Sequence, residues 1–178
     1  MTTVDQLLSW DPAAIGASAE GLNADRKALV DLQDEMDDGS PPASWQGEAA
    51  TAAEDSHSKI YARLADLVAA VSPVVEALDV AQVSIKSAQD SVRSAQSTIA
   101  AEGWRLEETG GSVRVSAPAP SGGDGGILGV VEEQFDQARM TALAQQVADA
   151  LQAATEADAQ LAAVLNGARV GRYDGGDG

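Results

Sequence analysis

From Ile60 to Ile99 the chain carries one uninterrupted apolar seam. Ile60, Leu64, Leu67, Val71, Val74, Leu78, Ala81, Ile85, Ala88, Val92, Ala95 and Ile99 follow one another at alternating spacings of four and three residues. Such a repeat holds one stripe of a helix on a constant side and asks for a partner helix along its whole length. The helix that bears it is expected to start near Ser44 and to end before Gly103, a span on the order of 85 Å at ~1.5 Å per residue. Pro73 falls inside it. Because the seam stays in phase across Pro73, the expectation is a kink rather than a break.

Punctuation divides the remainder. Val4 to Trp10 reads as a short leading helix, with Asp11 as the N-cap and Pro12 as the first residue of the next helix. There Ile15, Leu22, Leu29, Leu32 and Met36 recur at helical spacing until Gly39-Ser40-Pro41-Pro42, and Gly16 and Gly21 weaken the early part. After Gly103 the register changes. Trp104 to Val115 reads as two alternating segments about Gly110-Gly111, a small β-hairpin. An isolated hairpin is marginal in water, so Trp104 and Leu106 are expected to pack on helix ends.

A third long helix is expected from about Ile127 to Asn166. Its seam is Met140, Leu143, Val147, Ala150, Ala154, Ala157, Leu161 and Val164, widened by Leu151 and Leu165, and Asn166-Gly167 supplies a stop signal. The expected fold class is all-α: an elongated antiparallel up-down-up bundle of long helices over residues 1–168, with a turn at Trp45 and the hairpin inserted at about 104–115. A Pro-, Ser- and Gly-rich connector at about 117–126 and a tail at 169–178 are expected to be flexible. The first long helix is shorter than the second. Either the Val4–Trp10 segment covers the exposed remainder of the seam, or a second copy or a helical partner does.

Composition agrees with close helix packing. The 178 residues are 44% hydrophobic but only 3% aromatic, so the apolar content is mainly Ala, Val and Leu, which suit tight helix–helix contact. Lys and Arg number 11 against 28 Asp and Glu, a formal net charge of −17. Such a surface repels phosphate backbones and anionic lipid, which disfavours nucleic-acid binding and peripheral membrane attachment. With 0 Cys, no disulfide framework, thiolate metal site or cysteine nucleophile is available. Met1-Thr2-Thr3-Val4-Asp5 lacks the basic start of a secretory leader, and no stretch has the length of a membrane-spanning helix.

Trp45-Gln46-Gly47 lies in the bend between the first two long helical patterns. Gly permits a tight backbone there, and Trp supplies a large apolar face with one N–H. Taken alone, the tripeptide also fits a Trp that plugs the end of a bundle. Beyond the last helix, Tyr173 and Asp177 stand in the pattern Tyr-x-x-x-Asp. A Trp-x-Gly bend in an acidic helical hairpin, joined to a Tyr-x-x-x-Asp element after a helix, resembles the WXG-type substrates of the type VII (ESX) secretion systems of actinobacteria. It also resembles their larger PE/PPE-like and EspB-like relatives.

The resemblance implies a protein exported without a cleaved leader, and so secreted or at the cell surface. It implies a composite export and partner-recognition signal made by Trp45, Gly47, Tyr173 and Asp177 at one end of the bundle, read by a secretion ATPase or a secretion chaperone. The chain departs from the pattern in two ways. Glycines follow Tyr173-Asp174 where the family has an ordered helix. The Trp-x-Gly comes first and the Tyr-x-x-x-Asp last, as in one WXG hairpin enlarged by an extra helix. The chain also reads as the export module of a longer effector or toxin. The alternative is a cytosolic structural or adaptor bundle.

Residues for chemistry are sparse. His57 is the single histidine, which leaves no His-pair metal site, and its place beside the seam reads as a partly buried polar residue that sets register. Asp34-Glu35 and Asp37-Asp38 read as a solvated helix end that opposes the macrodipole. Gly122-Gly123-Asp124-Gly125-Gly126 and Asp174-Gly175-Gly176-Asp177-Gly178 lack the ligand count of a calcium loop. No catalytic, cofactor-binding or metal-binding residue is assigned, and the chain reads as a non-enzyme that acts through protein–protein contacts.

Overall fold

A computed structural model describes residues 2–39, 44–118 and 127–171, with side chains described outside 127–132 and 169–171. In chain order the elements are α1 (Val4–Ser9), α2 (Pro12–Asp38), α3 (Glu48–Ala101), strands β1 (Arg105–Thr109) and β2 (Ser112–Ser116), and α4 (Ile127–Gly171). The fold is mostly helical, with one two-stranded antiparallel hairpin between α3 and α4. Packing divides it into two compact units. Met1–Pro12 and Ala81–Ala159 form one, and Ala13–Val80 with α4 from Gln160 onward forms the other.

In the first unit, the α3 seam is buried throughout. Ala81, Ile85, Ala88, Val92, Ala95 and Ile99 pack with Met140, Val147, Ala150, Leu151, Ala154 and Ala157 of α4 in the core, Val92 and Val147 having no accessible surface. The short α1 completes this core. A helix of six residues does not persist alone, and two devices hold this one. At its start, Thr3 and Gln6 form a reciprocal capping box. On its inner side, Val4 and Leu7 are buried, and burying a side chain such as Leu7 contributes about 1.5–3 kcal/mol. The leading segment is therefore the cover for this part of the seam.

Polar tethers fix α1 from three sides. Thr155 of α4 donates its hydroxyl to Leu151 O at 2.8 Å and accepts the Thr2 N–H at 3.3 Å, so across the 3.0 Å contact between the two side chains the Thr2 hydroxyl is the donor. Glu108 of β1 accepts the Val4 N–H at 3.1 Å, placing a carboxylate at the positive end of the helix. Gln89 of α3 is 3% exposed, and its Nε2 donates to the carbonyls of Leu7 at 2.8 Å and Trp10 at 2.9 Å. One buried amide thus satisfies backbone acceptors at the end of α1.

The α3 terminus explains where the hairpin starts. Gly103 has φ +69°, its N–H reaches Ala100 O at 3.1 Å, and the Trp104 N–H reaches Ile99 O at 2.9 Å. These two bonds form a Schellman stop. Trp104 turns inward to 9% exposure, and the Arg139 guanidinium lies 5.5 Å from its ring centroid while also bonding Glu102 at 2.7 Å. The strands pair Leu106 with Val115 and Thr109 with Ser112, leaving Gly110 and Gly111, both at positive φ, as the two-residue turn.

In the second unit, three helices meet at Ala19 of α2 and Val74 and Leu78 of α3. Ile15, Leu22, Leu161, Val164 and Ala168 pack around them. The sequence pattern pointed to the large residues of α2, yet the deepest are Gly16 and Ala19, and Leu32 is 44% exposed. Small side chains let the helix backbone approach closely, so here they occupy the contact line. Ile60 and Leu165, assigned to seams, are also about half exposed, at 52% and 45%. The stop expected at Asn166-Gly167 is overridden: α4 continues to Gly171, where Leu161, Val164 and Ala168 packing outweighs one poor helix former. α3 is continuous through Pro73, with Ser72 bonding back to Val68 O at 2.9 Å.

Candidate functional site

The C-terminal end of α2 is bonded both from within α2 and from α3. α2 ends at Asp38, and the Gly39 N–H bonds Glu35 O at 3.0 Å. One ring nitrogen of His57 on α3, Nε2, lies 2.7 Å from Met36 O. A carbonyl only accepts, so Nε2 carries the proton and donates. His57 is half-buried, which fits the polar, register-setting role expected for it: it caps a terminal carbonyl of α2 from the neighbouring helix. One turn later the Tyr61 hydroxyl points to Asp37 Oδ2 at 3.5 Å.

On this frame α3 begins. Gly47 has φ +105°, a conformation that costs a residue with a Cβ ~1–2 kcal/mol. No atom lies within 4 Å of a Cβ built there, so the demand for glycine is one of backbone angle, not of space. Its carbonyl accepts the Thr51 N–H at 3.1 Å and lies 3.4 Å from the Thr51 hydroxyl. Glu48 in the first turn complements the helix N-terminus. Ala50 is buried at 4%, whereas Trp45 is 50% exposed. The indole does not plug a core. Half of a large aromatic face stands in solvent beside a fixed helix start.

Trp45 and Gly47 thus lie just before α3, Trp45 half exposed and Gly47 at positive φ. Tyr173 and Asp177 lie outside the described residues, as do both glycine–aspartate runs. Among the described residues, no group of three or more His, Asp or Glu side chains is arranged to hold a metal ion, and no helix is long and apolar enough to cross a membrane. Sequence reasoning passed over Gln89 and the His57–Met36 contact. Gln89 carried a signal: it stands four residues after Ile85 and three before Val92, the spacing of the seam itself.

No protein-family model, curated protein or solved structure matches the chain.

Proposed function

We propose that this chain is a type VII secretion substrate, or the export module of a longer effector, recognised through protein–protein contacts and not catalytic. One observation carries the reading. Trp45 presents half of its surface to solvent two residues before a left-handed Gly47 that opens a 54-residue helix. An exposed indole beside a helix start offers a partner a large apolar face, since aromatic side chains dominate interface energetics. The composite signal of Trp45, Gly47, Tyr173 and Asp177, its reading by a secretion ATPase or chaperone, and a destination outside the cell all belong to this proposal.

The test is export itself. In a host with a functional type VII ATPase, the wild-type chain should appear in culture filtrate, and it should remain inside when the ATPase is inactivated. Trp45→Ala, Tyr173→Ala and Asp177→Ala should each abolish export while intracellular protein stays folded. Wild-type export of all three variants, or export independent of the ATPase, would sink the reading and favour a cytosolic adaptor bundle.

A further inference from the structure

On the first unit, α3 and α4 leave an open groove of about 760 Å³. Ser87, on its α3 wall, is two residues from Gln89 and so faces about 160° away from it at 3.6 residues per turn. The side of α3 that binds α1 is thus covered, while the groove side is open. Its walls are small: Ser84 and Ser87 from α3, Ala142 and Ala153 from α4. Such side chains let a third helix approach to the usual 8–10 Å between axes.

Two exposed apolar side chains flank this face. Val83 lines the groove and is 67% exposed. Its α4 wall, Ala142 to Ala153, runs about 17 Å at 1.5 Å per residue, about three helical turns. Phe135, 68% exposed, does not line the groove but precedes Ala142 by seven residues, about two turns further along the same stripe, so wall and extension together run about five turns.

Charge identifies the occupant. The single ionised lining residue is Asp149, an exposed carboxylate held in place by the Gln145 amide at 2.6 Å. No lining residue is cationic, and the whole chain carries −17. A second copy would bring the same large negative charge to this face, whereas a basic helix would be attracted to it. We infer that the α3–α4 groove docks a basic amphipathic helix of a partner protein, about five turns long. Small residues would sit at its centre, apolar residues at its two ends against Val83 and Phe135, and a Lys or Arg against Asp149. This surface is separate from the Trp45 bend, and its test does not depend on export.

The probe is a labelled alanine-based helical peptide of about 18 residues, a length set by the wall and its extension to Phe135, with leucines near both ends and lysines along its flanks. A matched peptide carries glutamates in place of the lysines. Fluorescence anisotropy with the full chain should show binding of the lysine peptide, weakened by salt, and no binding of the glutamate peptide. Asp149→Lys and Ser87→Arg should each weaken the lysine peptide about tenfold or more, with circular dichroism and melting unchanged. Phe135→Ser, on an exposed site, serves as a third variant if either of these unfolds. Equal binding of both peptides, no binding of either, or insensitivity to the substitutions would overturn the inference. So would sedimentation showing a dimer that Ser87→Arg dissociates, because a second copy would then own the groove.

Discussion

The Gln89 side-chain nitrogen lies 2.8 Å from the carbonyl oxygen of Leu7, across 82 residues of sequence, and both residues are buried: Gln89 is 3% exposed and Leu7 0%. That bond, with its companion to Trp10 O, binds a six-residue helix to the longest helix of the fold. Gln89→Met keeps the length of the side chain and removes its donor. It should lower stability by about 1–3 kcal/mol, the cost of removing a buried donor from two carbonyls, of which Leu7 O keeps only the Trp10 N–H at 3.2 Å, read as a lower urea midpoint. Loss of the α1 cover should also raise binding of a hydrophobic dye.

Two glycines should respond in opposite directions to the same change. Gly103→Ala forces a Cβ into φ +69° and should cost about 1–2 kcal/mol. Gly167→Ala, inside α4 with nothing within 4 Å of the new Cβ, should gain about 0.5–1 kcal/mol. Paired thermal melts check both signs at once.

Pro73 is exposed within a continuous α3, and without an N–H it leaves the Ala69 carbonyl without its helical donor. Pro73→Ala should therefore stabilise, by up to ~3 kcal/mol. A lower melting temperature would mean that Pro73 itself is part of how α3 packs.

Lys86 hydrogen-bonds Asp90 at 3.0 Å, and this bond, followed by the charge of Lys86 itself, holds the Asp90 carboxyl below its ordinary value; desolvation opposes the shift and Arg93 at 3.5 Å adds to it. Because the folded pKa is depressed, any stabilisation from this pair is present above the ordinary aspartate value and is lost as pH falls through the folded one. The pair is fully exposed, so the effect on stability is screened away. A carboxyl NMR titration is the suitable readout: Lys86→Met should raise the Asp90 pKa, and added salt should do the same in the wild type.

Trp45→Phe and Trp45→Ala should leave stability within about 0.5 kcal/mol, as for other surface positions. A loss well beyond that, seen by calorimetry, would mean the indole supports the bend instead of waiting for a partner.

The seam of α3 was legible because a 4-3 repeat of aliphatic residues has only one helical meaning, and from Leu64 onward its positions are buried or half-buried. Ile60 and Leu165 show the limit of that reading: periodicity reports which face is apolar, not how far a neighbour extends along it. Gly16 and Ala19 were passed over because hydropathy favours large side chains, while contact between closely approaching helices favours small ones. The hairpin was legible from Gly110-Gly111 and the alternation around it. The capping box at Thr3 and Gln6 and the buried Gln89 were passed over, although the spacing of both was on the sequence. At the candidate site, the sequence pattern set Trp45 and Gly47 between two long helices, and they lie between α2 and α3. How much of the indole meets solvent could not be read from it, since that depends on what α2 and α3 leave uncovered.

Thr2 bonds Thr155, 153 residues later in the chain. At a synthesis rate of ~5–20 residues per second, Thr2 must therefore wait on the order of ten seconds for Thr155 to exist. Until then Val4 and Leu7 lack the α4 wall of the core that buries them. Docking of α1 is thus completed only after α4 has been made as far as Thr155.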